Sequence, residues 1–194
     1  EGFEEIEAVT VVDLLRRAGV EVRTASLAGR QVTGSHGIRI EADITIDAVD
    51  ATDYDMIVLP GGMPGARHLG ADPRVISLLR RMAADGRYVA AICAAPSVLA
   101  QAGLLAERAA TSFPGFLNGD SAPGIRLRDD AVVVDGRVVT SRGAGTAMEF
   151  GLAELLSRPD RDVPNAAVRC RVVSGRQHAS HHRDDLAADR PDRR

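Results

Sequence analysis

A length of 194 residues with 45% apolar and 26% charged residues suits one globular domain with a sizeable core, and is too short for two of ordinary size. A net charge of −3 and an aromatic content of 3% give neither nucleic acid nor an anionic membrane a reason to bind, and the apolar runs are too short to span a bilayer. All 24 basic residues are arginine, which excludes Schiff-base chemistry and a phosphate-loop lysine. No secretory signal is read ahead of the first helix, and the two cysteines, Cys93 and Cys170, fit the reducing cytoplasm better than a disulfide scaffold.

The chain opens at Glu1-Gly2-Phe3 without a strand. Glu4 to Arg17 reads as an amphipathic helix, with Val11, Leu14, Leu15 and Ala18 on one face and Gly19 placed to end it. Gly19 to Thr24 alternates like a strand, and Ile38 to Ile46 gives further short β segments. Tyr54 to Gly62 is an apolar run closed by a glycine turn, the pattern of a buried parallel strand. Asp72-Pro73 starts a helix with Val75, Leu78, Leu79 and Met82 on one face. Arg87 to Ile92 is a second buried strand, followed by a helix from Ala95 to Leu105 and a short strand from Arg108 to Thr111. Ala131 to Thr140 reads as a hairpin on Asp135-Gly136, and a last helix runs from about Thr146 to Leu156.

This alternation predicts an α/β fold: a doubly wound, flavodoxin-like, mostly parallel sheet with helices on both faces. Such sheets ordinarily begin with a strand, so the sheet is expected to lack its first one. The domain spans 1–156. Residues 157–194 are rich in Arg, Asp, Pro and His without apolar periodicity and read as a disordered tail. His178, His181 and His182 lie there without a scaffold, and no spacing resembles a metal site or a dinucleotide fingerprint, so neither metal nor cofactor is expected.

The chemistry points to Cys93. The strand Tyr88 to Ile92 runs straight into it, Pro96 suits the first turn of the next helix, and Ala91 and Ala95 put small residues two positions either side, as a tight nucleophile elbow requires. A helix N-terminus favours a thiolate and lowers a cysteine pKa from about 8.5 to roughly 3.5–7.5. The competing reading is an ordinary buried cysteine. Pro60-Gly61-Gly62 ends the neighbouring strand at the same sheet edge, where Gly61 and Gly62 offer backbone amides to an oxyanion. Among Glu4, Glu5 and Glu7, one carboxyl buried beside the sulfur would stay neutral and donate a hydrogen bond.

Together these elements resemble the ThiJ/PfpI family, in the branch of the parkinsonism-associated protein deglycase. The likeness runs from about Glu1 to Leu156. It rests on Gly2-Phe3-Glu4-Glu5-Ile6-Glu7, Leu15-Arg16-Arg17-Ala18-Gly19, Val58-Leu59-Pro60-Gly61-Gly62, Ala91-Ile92-Cys93-Ala94-Ala95-Pro96 and Thr140-Ser141-Arg142-Gly143-Ala144-Gly145-Thr146. The resemblance implies a catalytic Cys93, a protonated Glu7, and oxyanion or substrate-binding amides at Gly61, Gly62 and Ala94. Arg17, Phe113, Pro114, Arg142 and Gly143 would border the site or the interface of a homodimer.

The activity implied is a cofactor-free, cysteine-dependent glyoxalase or deglycase, a lyase or hydrolase acting on a small aldehyde such as methylglyoxal or on glycated protein or nucleotide. The alternative is an oxidative-stress sensor or chaperone with an oxidisable Cys93. Phe113 stands where the relative deglycase has a histidine, and Ala94 where the peptidase-like branch has one. Without an imidazole base, slow turnover is expected, and a cysteine peptidase or amidotransferase is disfavoured.

Overall fold

The computed structural model describes residues 1–156 and 169–174. Helix α1 (Glu5–Arg17) carries acids in its first turn and arginines in its last, each sign favoured by the helix dipole at that end. Glu4 caps it by accepting the Glu7 amide proton at 2.7 Å, and Gly19 follows the last turn at φ 76°. Strand β1 (Glu21–Ser26) leads into an antiparallel ribbon of β2 (Gln31–Thr33) and β3 (Arg39–Glu41), then β4 (Ile44–Thr45).

The buried run before Pro60 forms β5 (Met56–Leu59). Helix α2 (Gly65–Ala71), which has no apolar period and was not anticipated, precedes α3 (Pro73–Ala84), capped by the Asp72 carboxylate on the Arg74 amide at 3.0 Å. Then come β6 (Tyr88–Ile92), α4 (Pro96–Gln101) and two short paired strands, β7 (Ala109–Ala110) and β8 (Arg126–Leu127). The hairpin β9 (Val132–Asp135) and β10 (Val138–Ser141), α5 (Ala147–Leu156) and β11 (Arg169–Ser174) complete the described chain. Helix α4 stops short of the expected Leu105 because the chain turns at Gly103, φ 79°.

The main sheet has the order β4-β1-β11-β5-β6-β10-β9, parallel throughout except for β10 against β9. Successive residues of its central strands point to opposite faces and so divide the core in two. Met56, Val58, Ala90, Ile92, Val139 and Val172 pack with Val11 and Leu15 of α1 and Phe150 of α5. Ile57, Leu59, Val89, Ala91, Val138 and Val173 pack with Leu79 and Met82 of α3 and Leu99 of α4. Helices cover both faces, as the alternation predicts.

No strand precedes α1, as expected, yet the place such a strand would take is not vacant. In the doubly wound order 2-1-3-4-5 the second place belongs to the first strand of the chain. Here the place between β1 and β5 is filled by β11, with Val172 opposite Thr24 on one side and Val58 on the other. The sheet therefore lacks no central strand, and residues 169–174 are not a disordered tail. The physical reason is that β1 and β5 present backbone edges that need partners, and Val172 and Val173, both buried, give the intervening strand an apolar side chain for each face. Residues 157–168 and 175–194, the rest of the expected tail, lie outside the described residues.

If β11 is a core strand, Val172→Asp will lower unfolding stability by about 3 kcal/mol or more, since it buries an unpaired carboxyl. Chemical denaturation checks this, and an unchanged midpoint would remove β11 from the sheet. Glu154 of α5 supplies a second test. It is fully buried, neither carboxyl oxygen has a hydrogen-bond partner among the described residues, and burial raises its pKa well above the carboxylate range. Because the unfolded chain ionises this group first, its contribution is most favourable at low pH and is lost as pH rises above the ordinary carboxylate pKa. Glu154→Met is expected to raise stability at pH 7 by about 1–3 kcal/mol and to flatten its decline between pH 5 and 8; a variant equal to the wild type at both pH values contradicts this.

Candidate active site

Parallel strands deliver their C-terminal ends to one edge, and there β5 runs into Pro60-Gly61-Gly62 while β6 runs into Cys93. Cys93 has φ 64°, a left-handed conformation that costs a residue with a side chain roughly 1–3 kcal/mol. Neighbouring backbone holds it there. The Cys93 amide donates to the Ser141 carbonyl at 2.9 Å, the Phe113 amide donates to the Cys93 carbonyl at 2.9 Å, and the Ala95 amide donates to Ile92 at 3.0 Å. Ala91 and Ala95 are fully buried against this turn, which explains the small residues read there.

Glu7 comes to the sulfur from the first turn of α1. Its Oε2 accepts the Gly61 amide at 2.8 Å, whereas Oε1 is buried without a partner. A Cβ added to Gly61 would stand 2.7 Å from the Cys93 Cβ and 2.8 Å from Glu7 Oε2, so no side chain fits between them. Gly62, at φ 88°, is packed as tightly against the backbone of Phe3 and Glu4. The backbone amides of Gly62 and Ala94 favour negative charge on the sulfur. Of the three amides expected to face an oxyanion, that of Gly61 is engaged by the Glu7 carboxyl instead.

The electrostatics correct a second expectation. Burial pushes the Glu7 carboxyl up to about 7, against the opposing influence of the Gly61 amide and the nearby Cys93 thiol. Burial, and then the charge of Glu7, push the Cys93 thiol up to about 12, over the opposing amides of Ala94 and Gly62. A thiol lowered by the helix dipole is therefore not what an ionised Glu7 allows: α4 has only six residues, and a carboxylate adjoins the sulfur. The two acids titrate as a pair, and mutual repulsion prevents both from ionising until strongly alkaline pH. In between they hold one proton, and Cys93 is a thiolate only when that proton sits on Glu7.

Of the expected bordering residues, Gly143 and Phe113 reach the site. A methyl-sized group on the Gly143 α-carbon would lie 3.4 Å from Phe113 Cδ2 and 3.9 Å from both Cys93 Sγ and Glu7 Oε1. Pro114 follows Phe113 on the exposed surface. Arg142 adjoins Gly143 but is engaged by Asp129, Nη1 to Oδ1 at 2.9 Å. Arg17 does not reach the site: it is exposed, pairs with Asp13 at 2.7 Å, and lies ten residues beyond Glu7, about 15 Å along the helix.

Sequence reading missed the anchoring of Gly143. Its amide donates to Thr146 Oγ1 at 3.2 Å, and that hydroxyl also meets Ser141 Oγ at 2.7 Å; the Thr140–Thr146 block carried the signal. Among the described residues, one group has metal-ligand spacing, formed by Glu4, Glu5 and His36. Its carboxylates already accept the amides of Glu7, His36 and Ile38, which fasten α1 to the loop after β2.

The sequence model of the DJ-1/PfpI family matches residues 1–156. The chain is 36% identical over 160 residues to "Protein DJ-1 homolog B" of Arabidopsis thaliana, matching 79% of this chain and spanning only 35% of that protein. It is 37% identical over 140 residues to "Deglycase PH1704" of Pyrococcus horikoshii, covering 72% of this chain and 84% of that one. It is 36% identical over 163 residues to "Glutathione-independent glyoxalase DJR-1.2" of Caenorhabditis elegans, covering 83% and 87%. Among solved structures, oxidized Toxoplasma gondii DJ-1 superposes with a TM-score of 0.77 at 38% identity, covering 84% of this chain and 88% of that one.

The location of the shared proton has a direct measurement, the pH dependence of Cys93 labelling by iodoacetamide. With the proton on Glu7, wild-type labelling begins well below the alkaline range, about 12, to which burial and an ionised Glu7 would push the thiol. Glu7→Gln retains a hydrogen-bond donor and stays close to the wild type, whereas Glu7→Leu moves the profile upward. Labelling that begins only near pH 12 and is brought down by Glu7→Gln would instead place the charge on the carboxyl.

Proposed function

The chain belongs to the DJ-1/PfpI family, and we propose that it is a cofactor-free, cysteine-dependent glyoxalase or deglycase that removes reactive 2-oxoaldehydes such as methylglyoxal, free or as adducts on protein or nucleotide. The observation that carries this reading is the convergence of Cys93 Sγ and the unpartnered Glu7 Oε1 on one space over Gly143. Relatives named as a deglycase and as a glutathione-independent glyoxalase support it.

The thiolate attacks the aldehyde carbon. A carbon–sulfur bond forms, the carbonyl electron pair moves to oxygen, and Glu7 gives that oxygen its proton, yielding a hemithioacetal. The ionised carboxylate then takes the proton from the same carbon and passes it to the neighbouring carbon, which leaves Glu7 ionised again, while the hydroxyl proton on the first carbon moves to the oxygen of the second. The first carbon has been oxidised and the second reduced, so no external redox partner enters. Water breaks the resulting thioester, releasing lactate and the thiol. Glu7 thus serves as acid and base in turn, which a carboxyl pushed up to about 7 is poised to do.

A homodimer working in the cytoplasm belongs to the same proposal. Supporting the dimer, α1 exposes Ile6 and Val9, and α5, packed beside it, exposes Met148 and Leu152, an outer apolar face for a second copy. No described helix is long and apolar enough to cross a membrane. An oxidative-stress role rests on the same geometry: sulfur oxidised to a sulfinate would accept a hydrogen bond from protonated Glu7.

Methylglyoxal consumption with lactate formation tests the reading. Cys93→Ala is expected to abolish it, and Glu7→Gln to slow it by roughly 10²–10⁴-fold, the usual worth of general acid–base help. Equal rates in all three proteins would end the proposal.

A further inference from the structure

We propose that Phe113, backed by Phe116, makes the site select 2-oxoaldehydes that carry an aryl or comparably bulky apolar group over methyl-sized ones. This rests on the aldehyde chemistry proposed above. The chain has four phenylalanines, two tyrosines and no tryptophan. Phe3 and Phe150 lie in the core, at 1% and 0% exposure, whereas Phe113 is 49% exposed beside the sulfur. An exposed ring in a protein so poor in aromatics is the feature that needs a purpose.

Its position is fixed from two sides. The Phe113 amide donates to the Cys93 carbonyl at 2.9 Å, so the residue is tied to the nucleophile's own backbone. Its ring packs edge-on against Phe116, with centroids 6.2 Å apart and planes at 69°, a favourable aromatic arrangement. The methyl-sized space over Gly143 touches Phe113 Cδ2 at 3.4 Å and lies 3.9 Å from both Sγ and Glu7 Oε1. That point is too far from Sγ for the bonded carbon itself but within reach of the substituent it carries, which would lie there against the ring. A methyl covers little of the exposed aromatic surface, and a phenyl covers much more.

Phe116 also lines an open cleft of about 300 Å³ together with Met63, Ala66, Arg67 and Gln101. Arg142, adjoining Gly143, is held by Asp129, so it offers no free counter-charge that would favour an anionic substituent.

Two assays test this on the full chain. The first compares kcat/KM for phenylglyoxal and methylglyoxal. The second needs no turnover: it measures alkylation of Cys93 by phenacyl bromide and bromoacetone, in which the thiolate forms a carbon–sulfur bond and bromide leaves. Each alkylation rate is divided by that for N-acetylcysteine to remove intrinsic reactivity. The wild type is expected to favour the phenyl member at least about tenfold in both assays. Phe113→Ala should collapse that preference, read as the ratio of phenyl to methyl rates in each assay, and Phe113→Leu, which preserves bulk at the turn, should retain part of it. No phenyl preference, or one that Phe113→Ala leaves intact, overturns the proposal. Absent turnover with a surviving alkylation preference refutes the aldehyde chemistry and leaves the selectivity of the mouth standing.

Discussion

The hydrogen bond from the Gly61 amide to the Glu7 carboxyl joins two distant parts of the chain, the first turn of α1 and the end of β5. Around it the two segments exchange backbone bonds: the Glu4 amide donates to Gly61 at 2.9 Å, and the Gly65 amide donates to Gly2 at 3.0 Å. No side chain fits at Gly61 or Gly62 without striking Cys93, Glu7 or the backbone of Phe3 and Glu4. Three segments therefore meet with no spare volume, and the position of the carboxyl relative to the sulfur follows from backbone alone. A site fixed this way depends little on the flexibility of its own side chains.

Much of this was legible in the sequence because it is local. A strand running into Cys93, alanines two residues to either side and Pro96 after the turn specify an elbow, and the glycine pair after Leu59 specifies a close approach at the same edge. What the sequence does not carry is which backbone donor goes to which acceptor. Gly61 and Gly62 are neighbours of one type, yet one amide meets the carboxyl and the other the sulfur, a division set by φ 88° at Gly62 and by the packing of residues 2–4. Arg17 and Arg142 fall in matching blocks, but their distance along α1 and their pairing with Asp13 and Asp129 are matters of three dimensions. Helix α2, short and without period, left no pattern to read.

The thiol shows why a single local rule misleads. A helix N-terminus attracts negative charge, but a six-residue helix acts on the sulfur less strongly than desolvation and a carboxyl in contact with it. The relevant unit is the pair, which binds one proton too many to be a dianion and has two places to keep it. Such a pair keeps a proton beside the sulfur with no imidazole at hand, where the ring of Phe113 stands.

The placement of β11 bears on how the molecule is made. Every other strand of the main sheet precedes it in the chain, yet it lies between β1 and β5, in the middle. During synthesis β1 and β5 leave the ribosome long before the segment that separates them, and they must not seal against each other in the interval. Pairing β11 with both is a contact of high sequence separation, the kind that slows folding and prolongs exposure of unpaired edges. The edge that carries Gly61 and Cys93 is thus assembled from early segments, and the strand that joins β1 to β5 is the last of the main sheet to be made.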